Sequence, residues 1–203
     1  MNYIRMILIL VIVVFLSCFG GKSLPENPPP ILFSALKVSD QTPGSNYLLN
    51  EEDILNSIFN YLKNSGQVRP TLISNLKDIF SPADTSVFQT DPSALLLVQI
   101  KFLSNGFETD KTSLVPYLIH KPKIKHSWRF FVTIWPKNSK SFVYSGEVTG
   151  EVVVKSHIDV IDFDATDPSL GLTAIQKEEA KQKSLQKFNE NLLVLIKRYV
   201  PKL

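Results

Sequence analysis

The sequence predicts an α+β domain in which a mainly antiparallel sheet is covered on one face by two amphipathic helices, as a two-layer sandwich. Three observations predict this class. Residues 50–66 repeat apolar side chains at the three-to-four spacing of a helix, and residues 174–199 carry a second apolar stripe of this kind. Residues 127–135 and 141–155 alternate apolar and polar side chains around a short turn, which is typical of an antiparallel hairpin.

The first helix carries clear start and stop signals. Asn50 is a favourable N-cap, and the acidic residues 51–53 place negative charge at the end of the helix dipole that attracts it. Gly66 is placed to adopt the left-handed conformation that ends many helices. We expect strands over 31–38 and 67–72 on either side of this helix.

The middle of the chain predicts a central strand. Residues 94–103 are apolar on both faces in their first half, and Asn105-Gly106 is expected to close the strand as a turn. In the last predicted strand, Gly146 and Gly150 indicate bulges or curvature, because glycine in a strand often marks such a site.

The final helix is predicted over residues 174–199. Thr173 and Gln176 have the spacing of a capping box at its start. The first half of this helix is mostly charged and is expected to project into solvent. Its second half carries the apolar stripe and is expected to pack on the sheet.

The N-terminus has the composition of an export signal. Arg5 precedes an unbroken apolar run of eleven residues, from Met6 to Leu16. As a helix this run is about 16 Å long, which is too short for a bilayer core of about 30 Å but typical of a signal peptide. The residues before Cys18, Phe15-Leu16-Ser17, resemble the lipobox of bacterial lipoproteins, although that motif usually has an aliphatic residue in place of Phe15.

The resemblance implies cleavage before Cys18, with a diacylglyceryl group on its sulfur and an acylated amino group. A lone cysteine in an exported chain has no disulfide partner, which agrees with this role. The alternatives are an ordinary secretory signal and an uncleaved membrane anchor. The predicted organisation is a signal peptide over 1–17, a lipid-anchored tether rich in Gly and Pro over 18–30, and a single α+β domain over 31–203.

Charge and motifs exclude several function classes. Removal of residues 1–17 takes away one basic residue and no acidic residue, so the formal net charge falls from +3 to +2. This near-neutral balance argues against a nucleic-acid partner. The chain has no G-x-S-x-G, P-loop or dinucleotide-binding pattern, so we expect no enzyme activity and no cofactor.

An acidic segment is a candidate metal site. Asp159, Asp162, Asp164 and Asp167 follow the last predicted strand, and carboxylate oxygens at short spacing could bind calcium. The segment lacks the glycine and the distal glutamate of an EF-hand loop. The alternative is an Asp-Pro turn leading into the last helix, where Asp is favoured for turn chemistry alone.

A basic segment is a candidate contact with an anionic surface. Lys121, Lys123, Lys125 and Arg129 lie in a run, residues 120–129, that combines cations with aromatic residues and could contact lipid headgroups, lipopolysaccharide or a glycan polymer. The alternative is a solvated loop that leads into an aromatic-rich strand. The three histidines, His120, His126 and His157, lack the spacing of a zinc site and are interpreted as surface or hairpin-edge residues.

Residues 38–66 resemble the opening strand–loop–helix unit of two bacterial lipoprotein groups, the penicillin-binding-protein activators and the curli-secretion-channel lipoproteins. The lipopolysaccharide-assembly lipoprotein has a comparable sandwich. The resemblance implies a non-catalytic partner of a larger envelope machine. By a family rule, Phe19 in place of an Asp after the cysteine favours the outer membrane.

The predicted function is therefore a lipid-anchored, periplasm-facing accessory or assembly protein that binds an envelope protein complex. It would do so through its sheet or through the charged part of its last helix. The alternative is a ligand- or polymer-binding module, or a hydrolase, that acts on an envelope glycan or lipid.

Overall fold

The computed structural model describes residues 27–36, 51–73, 85–109, 123–156 and 168–200. These residues form an α+β fold, as predicted. Its elements are β1 (Pro30–Leu36), α1 (Glu51–Asn64), β2 (Arg69–Ile73), β3 (Leu96–Thr109), β4 (Lys123–Pro136), β5 (Tyr144–Lys155) and α2 (Ala174–Tyr199). Two short 3₁₀ turns cover Thr85–Gln89 and Pro168–Gly171.

The strands form one mixed sheet in the order β2-β1-β3-β4-β5. β1 runs parallel to both β2 and β3, whereas β4 runs antiparallel to both β3 and β5. The prediction of a mainly antiparallel sheet is therefore wrong. Parallel neighbours need a long crossover connection, and the segment that holds α1 supplies one between β1 and β2.

The helix α1 begins and ends close to where its sequence signals predict. It covers Glu51–Asn64, with Lys63 in its last turn. Gly66 has a φ of 62°, so the left-handed conformation expected at the end of the helix is confirmed. Ser65 closes the helix by donating its backbone N–H to the carbonyl of Tyr61 at 2.9 Å.

The strands β3 and β4 are longer than the sequence predicts. β3 continues through Asn105-Gly106, where a turn was expected, and pairs with β4 as far as Thr109. The register shifts between Phe102 and Ser104, which accommodates one extra residue in β3. Pairing with β4 supplies the main-chain hydrogen bonds of this segment, and this tertiary context outweighs the local turn preference.

Both helices contribute to one apolar core on one face of the sheet. Its largest fully buried side chains from the strands include Trp128, Phe33 and Phe130, and Phe188 joins them from α2. The opposite face has its own smaller apolar cluster of Leu32, Phe88, Ala94, Leu97 and Trp135. Apolar packing is therefore present on both faces of the sheet, and the second face is not simply a solvated surface.

The helix α2 begins with the predicted capping box. The backbone N–H of Gln176 donates to the Thr173 hydroxyl oxygen at 3.2 Å, and the Thr173 N–H donates to the Gln176 side-chain oxygen at 3.0 Å. The prediction that the first half of α2 projects into solvent is wrong. Ala180 and Ser184 are fully buried there, because this half also packs on the sheet.

Gly150 explains how α2 comes so close to the sheet. The pairing of β4 with β5 runs without a register shift from Lys123↔Lys155 to Ile134↔Tyr144, so the bulge expected at the glycines is absent from this ladder. A Cβ at Gly150 would lie 2.1 Å from the carbonyl oxygen of Ser184. Glycine is needed here because the helix backbone lies directly over it.

Candidate functional site

The strand β5 is an edge of the sheet, and its backbone is partly covered by side chains of this chain. Successive residues of an antiparallel strand turn their N–H and C=O groups alternately to the two sides. On the free side, the carbonyl of Thr149 accepts a hydrogen bond from the Asn191 amide at 2.7 Å, and the carbonyl of Lys155 accepts one from the Gln176 amide at 3.4 Å.

The residues that the structure describes leave a short stretch of this edge uncovered. Glu151 and Val153 lie between Thr149 and Lys155 with the same alternation, so their N–H and C=O groups also face the free side. Within the described residues, no side chain bonds to the backbone of either residue. The Val153 side chain is 50% exposed. The uncovered stretch is a template on which another extended chain could pair.

A groove runs along the uncovered stretch, between β5 and the first half of α2. It has a volume of about 410 Å³. Its lining residues are Val152, Val153, Val154 and Lys155 from the strand and Gln176, Glu179, Ala180 and Lys183 from the helix. Lys183 and Glu179 form an ion pair at 2.9 Å on the helix side. The groove therefore combines an apolar strand with a charged rim.

The face of the sheet opposite the helices carries an ion-pair network beside this edge. Lys125 lies 3.6 Å from the carboxylate of Glu108 and 3.5 Å from that of Glu151. Arg129 lies 3.0 Å from Glu108 and 3.9 Å from Glu147. Two of the four basic residues predicted to contact an anionic surface are thus paired with carboxylates, which reduces the positive charge that they present.

Lys123 and Lys155 are placed differently. They lie directly opposite each other at the end of the β4–β5 ladder, on the same face as the ion-pair network. Within the described part of the chain, neither has a carboxylate within ion-pair distance. Like charges directly opposite on neighbouring strands are destabilising. Counted over the described residues, this end of the edge therefore has an excess of positive charge.

His126 is buried, so its interpretation as a surface histidine is wrong. Only 1% of it is exposed, and its Nδ1 lies 2.7 Å from the hydroxyl of Ser184. Burial, together with the nearby Lys181 charge, lowers the pKa of His126 from 6.5 to about 4. Its alternation with Trp128 and Phe130 on the core face of β4 was the sequence signal for burial.

The Ser184–His126 pair joins the helix to the sheet. The Ser184 hydroxyl lies 2.7 Å from the carbonyl oxygen of Ala180 within the same helix, a geometry suited to donation. The neighbouring Trp128 donates its indole N–H to the carbonyl of Lys181 at 3.0 Å. Because both members of the pair are sealed in the core, they hold α2 in place and are not accessible to a substrate.

Several predicted site residues lie outside the described residues. They are Cys18, Lys121, His120, His157 and the four aspartates Asp159, Asp162, Asp164 and Asp167. Their roles stay predictions. In the described ranges, no three His, Cys, Asp or Glu side chains cluster closely enough to hold a metal ion together. In the same ranges, no helix is both long and apolar enough to cross a membrane.

No family model and no curated protein matches the chain. Among solved structures, it is similar to the hypothetical protein CT253 of Chlamydia trachomatis, with 12% identity and a TM-score of 0.48 over 82% of this chain and 96% of that one. A putative neuraminyllactose-binding hemagglutinin homolog of Helicobacter pylori is 15% identical, with a TM-score of 0.46 over 91% and 89% of the two chains. The similar structures include lipoproteins, such as GNA1162 of Neisseria meningitidis, with 11% identity and a TM-score of 0.37 over 76% and 99%. None of these similarities assigns a role to this chain.

Proposed function

We propose that this chain is a lipid-anchored accessory or assembly protein of the bacterial cell envelope, facing the periplasm and without catalytic activity. Cys18 is the residue that carries the lipid, and the outer membrane is the proposed site. The protein acts by binding other polypeptides, and the uncovered edge at Glu151 and Val153 is the observation that supports this best. An exposed strand edge beside a groove is a recurring site for the addition of a partner strand.

The pattern of covered and open backbone groups along β5 supports the binding of a partner strand. Natural sheets usually protect their edges with charges, short strands or covering elements. Here Asn191 and Gln176 cover the carbonyls of Thr149 and Lys155. The described residues leave the backbone groups of Glu151 and Val153 open beside a groove with apolar walls and a charged rim. A partner strand of limited length could therefore pair at one defined register.

The edge can be tested with a proline that removes a single free N–H. Val153→Pro deletes a donor that faces away from β4, so the ladder with β4 is kept, and proline is tolerated at such edge positions. Ser145→Pro is the matched control, because Ser145 lies on the same side of the same strand and outside the groove. The tagged full-length chain is cross-linked in native membranes and purified with its partners.

We expect the wild type and the Ser145→Pro variant to retain the same envelope proteins and Val153→Pro to lose them. Circular dichroism of all three proteins establishes that the fold is equal. Capture that is unchanged by Val153→Pro would contradict a role of this edge. A wild-type chain without partners, in cells whose envelope is normal when the gene is deleted, would contradict the proposed function as a whole.

A further inference from the structure

We propose that the strand accepted at this edge is β5 of a second copy of the chain, paired antiparallel about a two-fold axis at Val153. This inference rests on the proposed function and names the partner of the same edge. It joins two five-stranded sheets into one continuous sheet. Three observations support this pairing: the backbone geometry of β5, the order of its side chains, and the charge of the Lys123–Lys155 pair.

The backbone fits such pairing. In an antiparallel pair, residues that exchange both of their main-chain hydrogen bonds lie directly opposite each other. Glu151, Val153 and Lys155 all turn these groups to the free side of β5. Pairing of this stretch with its copy forms about four main-chain hydrogen bonds, because the Gln176 amide already occupies the carbonyl of Lys155 in each copy. Towards the start of β5, the Asn191 amide already occupies the carbonyl of Thr149 and marks where the paired stretch ends.

The order of the side chains selects the register. An axis at Val153 places the two Val153 side chains together and sets each Glu151 opposite the second copy's Lys155. An axis at Glu151 or at Lys155 would place like charges opposite each other, which is destabilising. An axis at Val152 or Val154 would set Val153 against a charged side chain. Only the first register pairs apolar with apolar and acid with base.

The same register also offsets the positive charge of the two lysines at the end of the β4–β5 ladder. Lys155 lies directly opposite Lys123, and the described residues provide neither lysine with an ion-pair partner. The second copy's Glu151 would lie next to Lys155 on its other side. The carboxylate then meets an ammonium group that has none of its own, and the repulsion between the two lysines is offset.

The helix layer permits this approach. α2 lies over β4 as well as β5, since Trp128 on β4 donates its indole N–H to the carbonyl of Lys181. Within the described residues, its side-chain bonds on the free side go to Thr149 and Lys155, which leaves the stretch between them open. The two copies of α2 run antiparallel about the same axis. Glu179 and Lys183 line the groove of each copy, and the two-fold axis sets the two copies of this ion pair in opposite order.

A disulfide across the axis tests the proposal in the full-length chain. The Cα atoms of such directly opposite residues are about 5.5 Å apart, within the range that a disulfide spans. Val153→Cys in native membranes, treated with a mild oxidant, is expected to give a covalent homodimer on non-reducing gels. Ser145→Cys is the control: its copies would lie roughly 50 Å apart along the paired strands. The natural Cys18 is present in both variants.

Each outcome decides the question. A homodimer from Val153→Cys and none from Ser145→Cys supports the second copy. A Val153→Cys chain that remains monomeric, or equal dimers from both variants, overturns it. A mixed disulfide between Val153→Cys and a different protein also overturns the second copy but leaves the proposed function standing.

Charge reversal gives a second test that does not depend on packing at Val153. In the Val153→Cys background, Glu151→Lys or Lys155→Glu alone is expected to lower the yield of homodimer about tenfold, because each sets like charges opposite each other. The double reversal restores the pairing across the axis and is expected to restore the yield. Glu151→Lys also removes the ion pair with Lys125, and the double reversal does not rebuild that pair. Recovery of the double variant would therefore come from the pairing across the axis and would support the register. A homodimer yield that Lys155→Glu leaves unchanged would overturn it.

Discussion

Gly150 lies directly beneath Phe188, and a Cβ at position 150 would come within 2.3 Å of the Phe188 backbone nitrogen. The contact is with helix backbone, which cannot rotate out of the way as the end of a flexible side chain can. The closeness of α2 to β5 therefore depends on the absence of one side chain. The groove beside Val153 depends on it too, because α2 forms one wall of that groove.

Gly150→Ala is expected to destabilise the domain by about 3 kcal/mol or more, since the added methyl group forces the helix off the sheet. Gly106→Ala is the matched control, because a Cβ there would have nothing within 4 Å, and we expect a change below about 0.5 kcal/mol. Urea unfolding of the full-length protein in detergent measures both. Equal stabilities of the two variants would contradict the close contact at Gly150.

His126 predicts a loss of stability on mild acidification. Its pKa is about 4 in the folded protein and 6.5 without burial, so between these values the unfolded chain binds a proton that the folded chain excludes. The contribution of His126 to the free energy of unfolding is therefore complete above pH 6.5 and is lost as the pH falls towards 4. The loss from this group should reach about 2–3 kcal/mol.

The measurement compares urea unfolding of wild type and His126→Gln between pH 7.5 and pH 4.5. The variant should start less stable, because it loses packing in the core, but its free energy of unfolding should fall less steeply with pH. The pKa of Asp91 is lowered by its hydrogen bonds with Ser93, so this carboxylate contributes at more acidic pH. Identical slopes for both proteins would rule out the titration of His126 as the cause.

The basic segment predicts unequal roles for its four cations. Lys125 and Arg129 are held by carboxylates, whereas the described residues offer Lys123 no such partner. If this segment contacts an anionic surface, Lys123→Gln should weaken binding to vesicles that contain anionic lipid more than Lys125→Gln does. Sedimentation with such vesicles at low and high salt measures it. An equal or reversed effect would contradict the ranking.

Cys18 predicts the attachment of the chain to the membrane. Cys18→Ala should abolish incorporation of labelled palmitate and leave the chain with an unprocessed N-terminus. Ser17→Ala changes the neighbouring residue to another small one and should keep both the incorporation of palmitate and the processing of the N-terminus. Mass spectrometry of the purified N-terminus distinguishes an acylated Cys18 from a chain cleaved at another site. An intact Cys18 thiol in the mature protein would contradict lipidation.

The parts of the fold that the sequence predicts well are those set by local pattern. The bounds of α1 follow from its apolar spacing and from Gly66, and the start of α2 follows from the Thr173–Gln176 box. These signals act within a few residues of each other, so a single sequence contains them in full. The β4–β5 hairpin was found for the same reason.

The parts that were missed depend on pairing between distant segments. Asn105-Gly106 has turn chemistry, but β4 holds it as a strand. Gly150 looked like a bulge because the helix that covers it lies more than thirty residues further along the chain. The edge at Val153 could not be predicted, since nothing in β5 itself states which strand ends the sheet. The candidate surface therefore required the topology.

The position of β1 has a consequence for how this chain can fold. β1 lies between β2 and β3, and Ile31 pairs with Pro70 on one side and with Leu96 on the other. One neighbour, β3, begins more than sixty residues further along the chain, whereas β3 pairs with β4 and β4 pairs with β5, each the next strand along. Since non-local pairing slows folding, we expect the β4–β5 hairpin to form before β1 pairs with β3. During synthesis, which proceeds from the N-terminus, β1 can pair with β2 first, and its other side stays unpaired until residues 96–101 arrive.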